Sequence, residues 1–422
     1  MESAPTFASL GLAEPLVRAV RDLGYVTPSP IQIAAIPPLL ARRDLLGSAQ
    51  TGTGKTAAFA LPILHHLAAS PKKVRPGRMR VLVLTPTREL AIQIDESFRQ
   101  YGAHTKARTT VIFGGVGQQP QVDAMRSAPD VLTATPGRLL DLLQQGHLSF
   151  DSLEVFVLDE ADRMLDMGFL PDVRKVVDRL PATRHSAFFS ATMPPEIANL
   201  AKSILTSPVH VEVVPESTTA ENVKQRVIFV DRPGKPALLV QVVRDPRVQR
   251  TLVFTRTKHG ANRVVEQLAK SSVKAAAIHG NKSQGARQRA LEGFRTGEIP
   301  VLVATDIAAR GIDVEGISHV INYDLPNVPE SYVHRIGRTA RAGASGLAIS
   351  FCDREEIAFL RDIERLIGLR IEVAGDRIGL PRDVIEPGEL SAHRRAGAPG
   401  GAGPKRGGGG GGGGGGRRRR RR

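Results

Sequence analysis

The sequence has a single cysteine in 422 residues, which excludes an intrachain disulfide framework and any cysteine-rich zinc site. That residue, Cys352, closes the apolar run Leu347 to Cys352 and reads as a core thiol; a catalytic thiol is the weaker alternative. The first residues lack the basic-then-apolar order of a secretory leader. No stretch is long and apolar enough to cross a bilayer, so a cytoplasmic protein with no membrane partner is expected. The histidines, His65 and His66 among them, lack metal-ligand spacing and read as structural or surface groups. No short-period repeat is present, which argues against a solenoid. Ordinary contents remain: 41 % hydrophobic and 24 % charged residues exclude a fully disordered chain, and the length fits two or three domains.

Acidic residues are in deficit. Lys and Arg total 58 against 42 Asp and Glu, a net charge of +16, and such a balance points to a polyanion, most often nucleic acid. Ser391 to Arg422 holds ten Lys or Arg and no acid, so +6 of the +16 belongs to the rest. Gly407 to Gly416 is an unbroken glycine run followed by Arg417 to Arg422. Such a segment cannot bury enough apolar area to offset its ordering entropy, so a disordered tail is expected. About 40 flexible residues reach roughly 35 Å, enough to sweep a neighbouring domain with arginines.

The body alternates short apolar runs with helical patterns. Met79 to Leu84, Leu153 to Leu158, His185 to Phe189, Thr251 to Phe254, Val273 to Ile278, Pro300 to Ala304, Ser318 to Asn322 and Leu347 to Phe351 read as buried strands. Arg88 to Tyr101 and Ala261 to Lys270 read as helices between them. Such alternation implies α/β architecture, with parallel sheets covered on both faces. The pattern runs twice. Residues 1–208 form the first domain, 209–222 a linker, of which Val214 to Asn222 is polar without an apolar period, 223–371 the second domain and 372–422 the tail.

Chemistry concentrates in a few segments. Ala49-Gln50-Thr51-Gly52-Thr53-Gly54-Lys55-Thr56 follows a short strand candidate and precedes a helical run to His66. Glycines there let backbone amides curl around a phosphate, Lys55 would pair with the β and γ phosphates, and the Thr56 hydroxyl would bind Mg²⁺. A helix N-terminus favours the same anion. Ala49 stands where the general P-loop pattern has glycine. Downstream, Asp159-Glu160-Ala161-Asp162 follows the run Leu153 to Leu158. Alone, adjacent acids are usually a solvated turn. Near a P-loop, Asp159 can hold Mg²⁺, through water, and Glu160 can orient and deprotonate the attacking water.

Together these residues resemble the DEAD-box family of ATP-dependent RNA helicases in superfamily 2, over about Phe7 to Ile371, with features similar to its bacterial RhlE-like branch. The resemblance implies two tandem RecA-like domains and a set of further motifs. Gly24-Tyr25-Val-Thr-Pro-Ser-Pro-Ile-Gln32 resembles the Q motif, in which Gln32 would read the adenine edge. Phe7 would stack on the base, and Tyr25 belongs to the same ATP-binding set. Pro86-Thr-Arg88-Glu-Leu-Ala91, Gly114-Gly115 and Thr135-Pro-Gly-Arg138 resemble motifs that grip the RNA backbone. Ser190-Ala-Thr192 resembles the motif that couples hydrolysis to strand separation.

In the second half, Val253 to Thr257 resembles motif IV, Gln284 with Arg287 motif IVa, Ala304 to Asp313 motif V and His334 to Arg341 motif VI. Carried over, Gln284 would touch RNA, and Thr305 and Asp306 would touch RNA or the interdomain network. Gly311 and Asp313 would approach the ribose, His334 would take part in coupling, and Arg338 and Arg341 would be arginine fingers. The implied activity is an RNA-dependent ATPase that locally unwinds or remodels short RNA duplexes and RNA–protein complexes, as a monomer. Ribosome precursors or RNA-decay machinery are candidate settings. An ATP-gated RNA clamp uses the same motifs, and a DNA helicase of a neighbouring group is a third reading. The tail would add salt-sensitive RNA affinity, or else serve solubility or protein recruitment.

Overall fold

A computed structural model of the chain describes residues 5–49, 52–213, 223–309, 314, 316–339 and 346–374. Gln50, Thr51, Gly311, Asp313, Arg341, most of the expected linker (214–222) and the expected tail from 375 onward lie outside the described residues.

Among the described residues fourteen strands build two sheets. The first half contributes β1 (Leu45–Ser48), β2 (Val81–Leu84), β3 (Thr109–Ile112), β4 (Val131–Ala134), β5 (Val155–Leu158), β6 (His185–Ser190) and β7 (Val209–Glu212). The second contributes β8 (Val223–Phe229), β9 (Thr251–Phe254), β10 (Ala275–Ile278), β11 (Val301–Ala304), β12 (His319–Asn322), β13 (Gly346–Cys352) and β14 (Glu372–Val373). The strand orders are β3-β4-β2-β5-β6-β1-β7 and β10-β11-β9-β12-β13-β8-β14, one permutation used twice. Every pairing is parallel.

The parallel arrangement follows from burial. β2, β4, β5, β9 and β11 are buried at every position, as strands covered on both faces must be. Side chains along a strand alternate between faces, so consecutive Phe188 and Phe189 of β6 enter two different apolar clusters. The second sheet likewise has a cluster on each face. Helices return the chain between strands. Arg88–Tyr101 has the expected bounds, its start capped by the Thr87 hydroxyl, which accepts from the Leu90 N–H at 3.3 Å. Lys258–Lys270 begins ahead of the expected Ala261 because Thr257 caps it through the Gly260 N–H at 3.0 Å.

Two expected boundaries shift. Val209–Glu212, counted in the linker ahead of polar 214–222, is the edge strand β7, paired with β1 from Leu45↔Val209 to Ser48↔Glu212. Glu372–Val373, assigned to the tail, is edge strand β14 on β8. Edge strands bury one face at most, so their sequences lack the continuous apolar run that marks a central strand.

Candidate functional site

The carboxyl ends of the strands carry the motif residues, as expected for open parallel sheets. After β1, Lys55 opens the helix Lys55–Ala69 and is 6 % exposed. Its Nζ donates to the Ala49 carbonyl at 2.9 Å. Gly52 and Gly54 have φ of 86° and 91°, a left-handed conformation that glycine adopts without strain. A Cβ on Gly54 would lie 2.4 Å from Gln32 Nε2. Thr56 follows, half-buried. A helix N-terminus, a buried ammonium and a hydroxyl thus meet where a phosphate chain can be held.

Beyond β5, Asp159 and Glu160 are 2 % and 3 % exposed. Burial pushes the Asp159 carboxyl up to about 6; Lys55 opposes the rise and adjacent Glu160 adds to it. This carboxylate is therefore short of positive charge. Among the described residues no three His, Cys, Asp or Glu converge on a metal position. A cation bound at Asp159 and Thr56 would take most of its ligands from phosphate and water, the habit of Mg²⁺. Glu160 adopts a left-handed φ of 54° and pairs with Arg163 Nη1 at 2.5 Å. Asp162 connects this turn to Ser190 and Thr192. Its Oδ2 accepts from the Thr192 N–H at 3.0 Å and Oγ1 at 3.1 Å, and its own N–H donates to Ser190 Oγ at 3.1 Å.

Gln32 is engaged inside the protein. Its Oε1 accepts the Ser29 N–H at 2.9 Å, and its Nε2 donates to the Gly54 carbonyl at 3.1 Å. Ser29 Oγ donates to the Thr53 carbonyl at 2.8 Å. Gln32 and Ser29 thus latch the phosphate loop from behind, a role that a reading of Gln32 as an adenine contact alone does not include. Phe7, expected to stack on a base, is 5 % exposed and packs in the first sheet's core. Tyr25 is 49 % exposed, its ring 6.3 Å from that of Tyr101.

Three arginines gather at a second locus. The Arg88 guanidinium lies against Gly115, where a Cβ would sit 2.3 Å from Nη1, and Gly115 has a φ of 77°. Arg138 donates through Nη2 to the Val116 carbonyl at 3.1 Å. Thr135, buried, precedes the helix Pro136–Gln144 that carries Arg138. Arg287, from the second half, pairs with Glu89 Oε1 at 2.9 Å. Burial first, then the nearby charges of Arg287 and Arg138, hold Arg88 below the ordinary arginine range, with Glu89 opposing. Arg138 Nη1 and Arg287 Nε are buried without a hydrogen-bond partner. Gln284, expected on RNA, instead donates to Glu89 Oε1 at 3.2 Å and is 5 % exposed. Nothing local to Glu89 marks it as the residue that joins the two halves.

In the second half Asp306, expected on RNA or in the interdomain network, binds the buried Arg335 through both carboxylate oxygens, at 2.5 and 2.7 Å. Arg335 also donates to Asn322 Oδ1 at 3.1 Å and the Asp324 carbonyl at 2.6 Å. Thr305, half-buried, accepts through its carbonyl from the Ala308 and Ala309 N–H groups. Arg338 is 4 % exposed and lines a small cavity with Phe254, Asp306 and His334. A further ionic cluster has no sequence signal. Lys235, 1 % exposed, opens the helix Lys235–Val243 and pairs with Glu356 at 2.5 Å and Asp353 at 3.2 Å.

Comparison with known proteins agrees with this geometry. Residues 29–200 match the DEAD/DEAH box helicase family, and 234–343 match the helicase conserved C-terminal domain. The chain is 41 % identical over 369 residues to the DEAD-box ATP-dependent RNA helicase RhpA of Helicobacter pylori strain B128, covering 87 % of this chain and 74 % of that protein. It is 42 % identical over 389 residues to the ATP-dependent RNA helicase RhlB of Pseudomonas syringae, covering 91 % and 98 %. These near-equal identities to differently named relatives select no branch. Among solved structures, Saccharomyces cerevisiae Dbp5 bound to RNA and ADP BeF3 superimposes with a TM-score of 0.76 at 32 % identity, covering 88 % of this chain and 95 % of that one. Mss116p bound to single-stranded RNA and AMP-PNP gives 0.79 at 26 % identity, covering 89 % and 80 %. Two repeated parallel sheets, a phosphate loop facing a buried Asp–Glu pair and these matches over most of the length place the chain in the DEAD-box family of ATP-dependent RNA helicases.

Proposed function

We propose that this protein is an RNA-dependent ATPase that locally unwinds or remodels short RNA duplexes and RNA–protein complexes, using ATP with Mg²⁺. One observation carries the RNA part of the reading. Arg88 and Arg138 from the first half and Arg287 from the second crowd one locus, where two buried N–H donors lack partners. Like charges held together with unused donors are costly unless an anion completes them. A phosphate of the RNA backbone has that chemistry.

At the nucleotide site, Lys55 would exchange the Ala49 carbonyl for phosphate oxygens. Thr56 and Asp159 would hold Mg²⁺, which neutralises phosphate charge when bound. Glu160 would orient the attacking water and accept its proton. Ser190 and Thr192, tied to Asp162, would pass changes at the tetrad to the RNA face. Arg338 would stabilise charge on the transferring phosphate, and Arg341 is proposed to join it. ATP and RNA each need groups from both halves, so each should tighten the other.

Steady-state hydrolysis by the full-length protein tests the reading. It would be compared without nucleic acid, with single-stranded RNA and with DNA of matched sequence. Stimulation by RNA alone is expected. Equal stimulation by DNA moves the substrate class, and ATP binding without hydrolysis under any condition refutes the catalytic roles of Glu160 and Arg338.

A further inference from the structure

The helices Arg88–Tyr101 and Gln284–Thr296, one from each half, touch at their starts, where Gln284 donates to Glu89. Past that contact they line a cleft of about 650 Å³, inside the size range of small-molecule sites. The cleft is separate from both loci described above. No residue of the phosphate loop or of the Asp159–Glu160 turn lines it, and neither do Arg88, Arg138 and Arg287.

Two amide oxygens in its walls are short of donors. Gln93 Oε1 and Gln284 Oε1 are buried and have no hydrogen-bond partner among the described residues. Gln284 is 5 % exposed, and its orientation is fixed. Nε2 faces the Glu89 carboxylate, which can only accept, so the amide oxygen has to point elsewhere. Buried acceptors without donors are costly. The two belong to opposite walls, Gln93 to the first half and Gln284 to the second. An anion would add a further acceptor to this pair, whereas N–H groups would satisfy it.

The neighbouring charges select which N–H groups. Of the three carboxylates in the lining, Glu89 pairs with Arg287 at 2.9 Å and Glu292 with Arg295 at 3.9 Å. Glu96 has no ion-pair partner among the described residues. It is exposed and follows Gln93 by three residues, which puts the two on one helix face with Cβ atoms roughly 5–6 Å apart. Arg250 lines the cleft from the second half. Ile92 and Leu291 supply apolar wall between the polar groups.

We propose that this cleft binds a short linear diamine. One ammonium donates to Gln93 Oε1 and Gln284 Oε1, the second sits at the Glu96 carboxylate, and the methylenes lie against Ile92 and Leu291. The first ammonium bridges the two halves, so the bound amine favours the arrangement in which they meet. Calorimetry on the full-length protein tests this at fixed ionic strength, without nucleic acid or nucleotide, using putrescine, butylamine and 1,4-butanediol. Putrescine should bind at one site per chain. Butylamine should bind about two- to fivefold more weakly, for want of the exposed Glu96 contact, and butanediol should give no saturable heat. Gln93→Met should weaken both amines about tenfold. Glu96→Gln should bring putrescine down to the level of butylamine and leave butylamine unchanged, which a general loss of negative charge would not do. Glu196→Gln, which removes an exposed acid from the helix Pro195–Ile204, should change neither. Should Gln93→Met fail to fold, Gln93→Asn, which withdraws the oxygen by one methylene, takes its place. Absence of saturable putrescine binding overturns the inference, as does putrescine binding that Gln93→Met leaves at its wild-type strength. With no RNA present, either result leaves the RNA reading standing, and failure of RNA to stimulate hydrolysis leaves this site standing.

Discussion

Gly115→Ala separates backbone strain from a functional contact within one substitution. Gly115 has a φ of 77°, and alanine in that left-handed region costs about 1–2 kcal/mol of stability. The new Cβ would also lie 2.3, 2.4 and 2.5 Å from Arg88 Nη1, Nη2 and Cζ, closer than such contacts occur, so the guanidinium must leave. Displacing one charge-assisted phosphate contact is worth about 1.5–3 kcal/mol, or about 10- to 100-fold in RNA affinity. Gly114→Ala is the internal control. Its Cβ would come no nearer than 3.9 Å to Arg88, and its φ is not left-handed, so stability should move by no more than about 0.5 kcal/mol. Urea denaturation measures the first effect and anisotropy with labelled RNA the second. On an Arg88→Met background, Gly115→Ala should keep its stability cost and lose its RNA effect. Equal RNA losses from alanine at 114 and 115, or an RNA loss from Gly115→Ala that persists without Arg88, would refute the reasoning.

Three further outcomes are expected. Lys235→Met leaves buried Asp353 without its cation and Glu356 with the partly exposed Arg256 alone, and should destabilise the protein by about 3 kcal/mol in urea; a change below about 1 kcal/mol contradicts the network's energetics. Gly54→Ala forces Gln32 off the Gly54 carbonyl and should weaken ATP binding at least about tenfold by calorimetry while nucleotide-free RNA binding stays at its wild-type level; unchanged ATP affinity removes the latch from the account. Burial pushes the Cys352 thiol up to about 12 from an ordinary 9.0, so alkylation of the native protein at pH 8 should proceed only at the rate of unfolding. The same shift makes a sign prediction: the stability it contributes is present below pH 9 and is lost as pH rises toward 12, because the unfolded thiol ionises first.

Many central strands were legible in the sequence because parallel strands buried on both faces leave continuous apolar runs, as in β9, whose bounds agree residue for residue, although β4, just as buried, and β8 were not singled out. β3 was not singled out despite its β-branched residues, since it is an edge strand whose first three positions are only half-buried and it forms no continuous apolar run. β7 and β14 lie at sheet edges and look polar. Within the site, residues whose chemistry is local stood out: glycines with left-handed φ, a lysine opening a helix, acids after a strand. Partners were not legible. Gln32, Gln284 and Asp306 each carry polar groups suited to a ligand, yet each is engaged within the protein, and sequence spacing gives no sign of a partner such as Gly54, Glu89 or Arg335. Glu89 and Glu356 were missed for the same reason, because their importance arises from contacts between elements far apart in the chain.

The repeated strand order gives Lys235 a second significance. β8 occupies in its sheet the position β1 occupies in the first, and each leads to a glycine–lysine pair opening a helix, Gly54–Lys55 and Gly234–Lys235. The first lysine rests on a neutral carbonyl, a partner that an incoming phosphate can replace. The second is already neutralised by the carboxylates of Glu356 and Asp353, which act as permanent, covalently attached anions in the corresponding seat. The duplicated architecture therefore offers one lysine to an incoming anion and ties the other to carboxylates of its own. Calorimetry is therefore expected to find one nucleotide bound per chain, and a second equivalent would contradict this asymmetry.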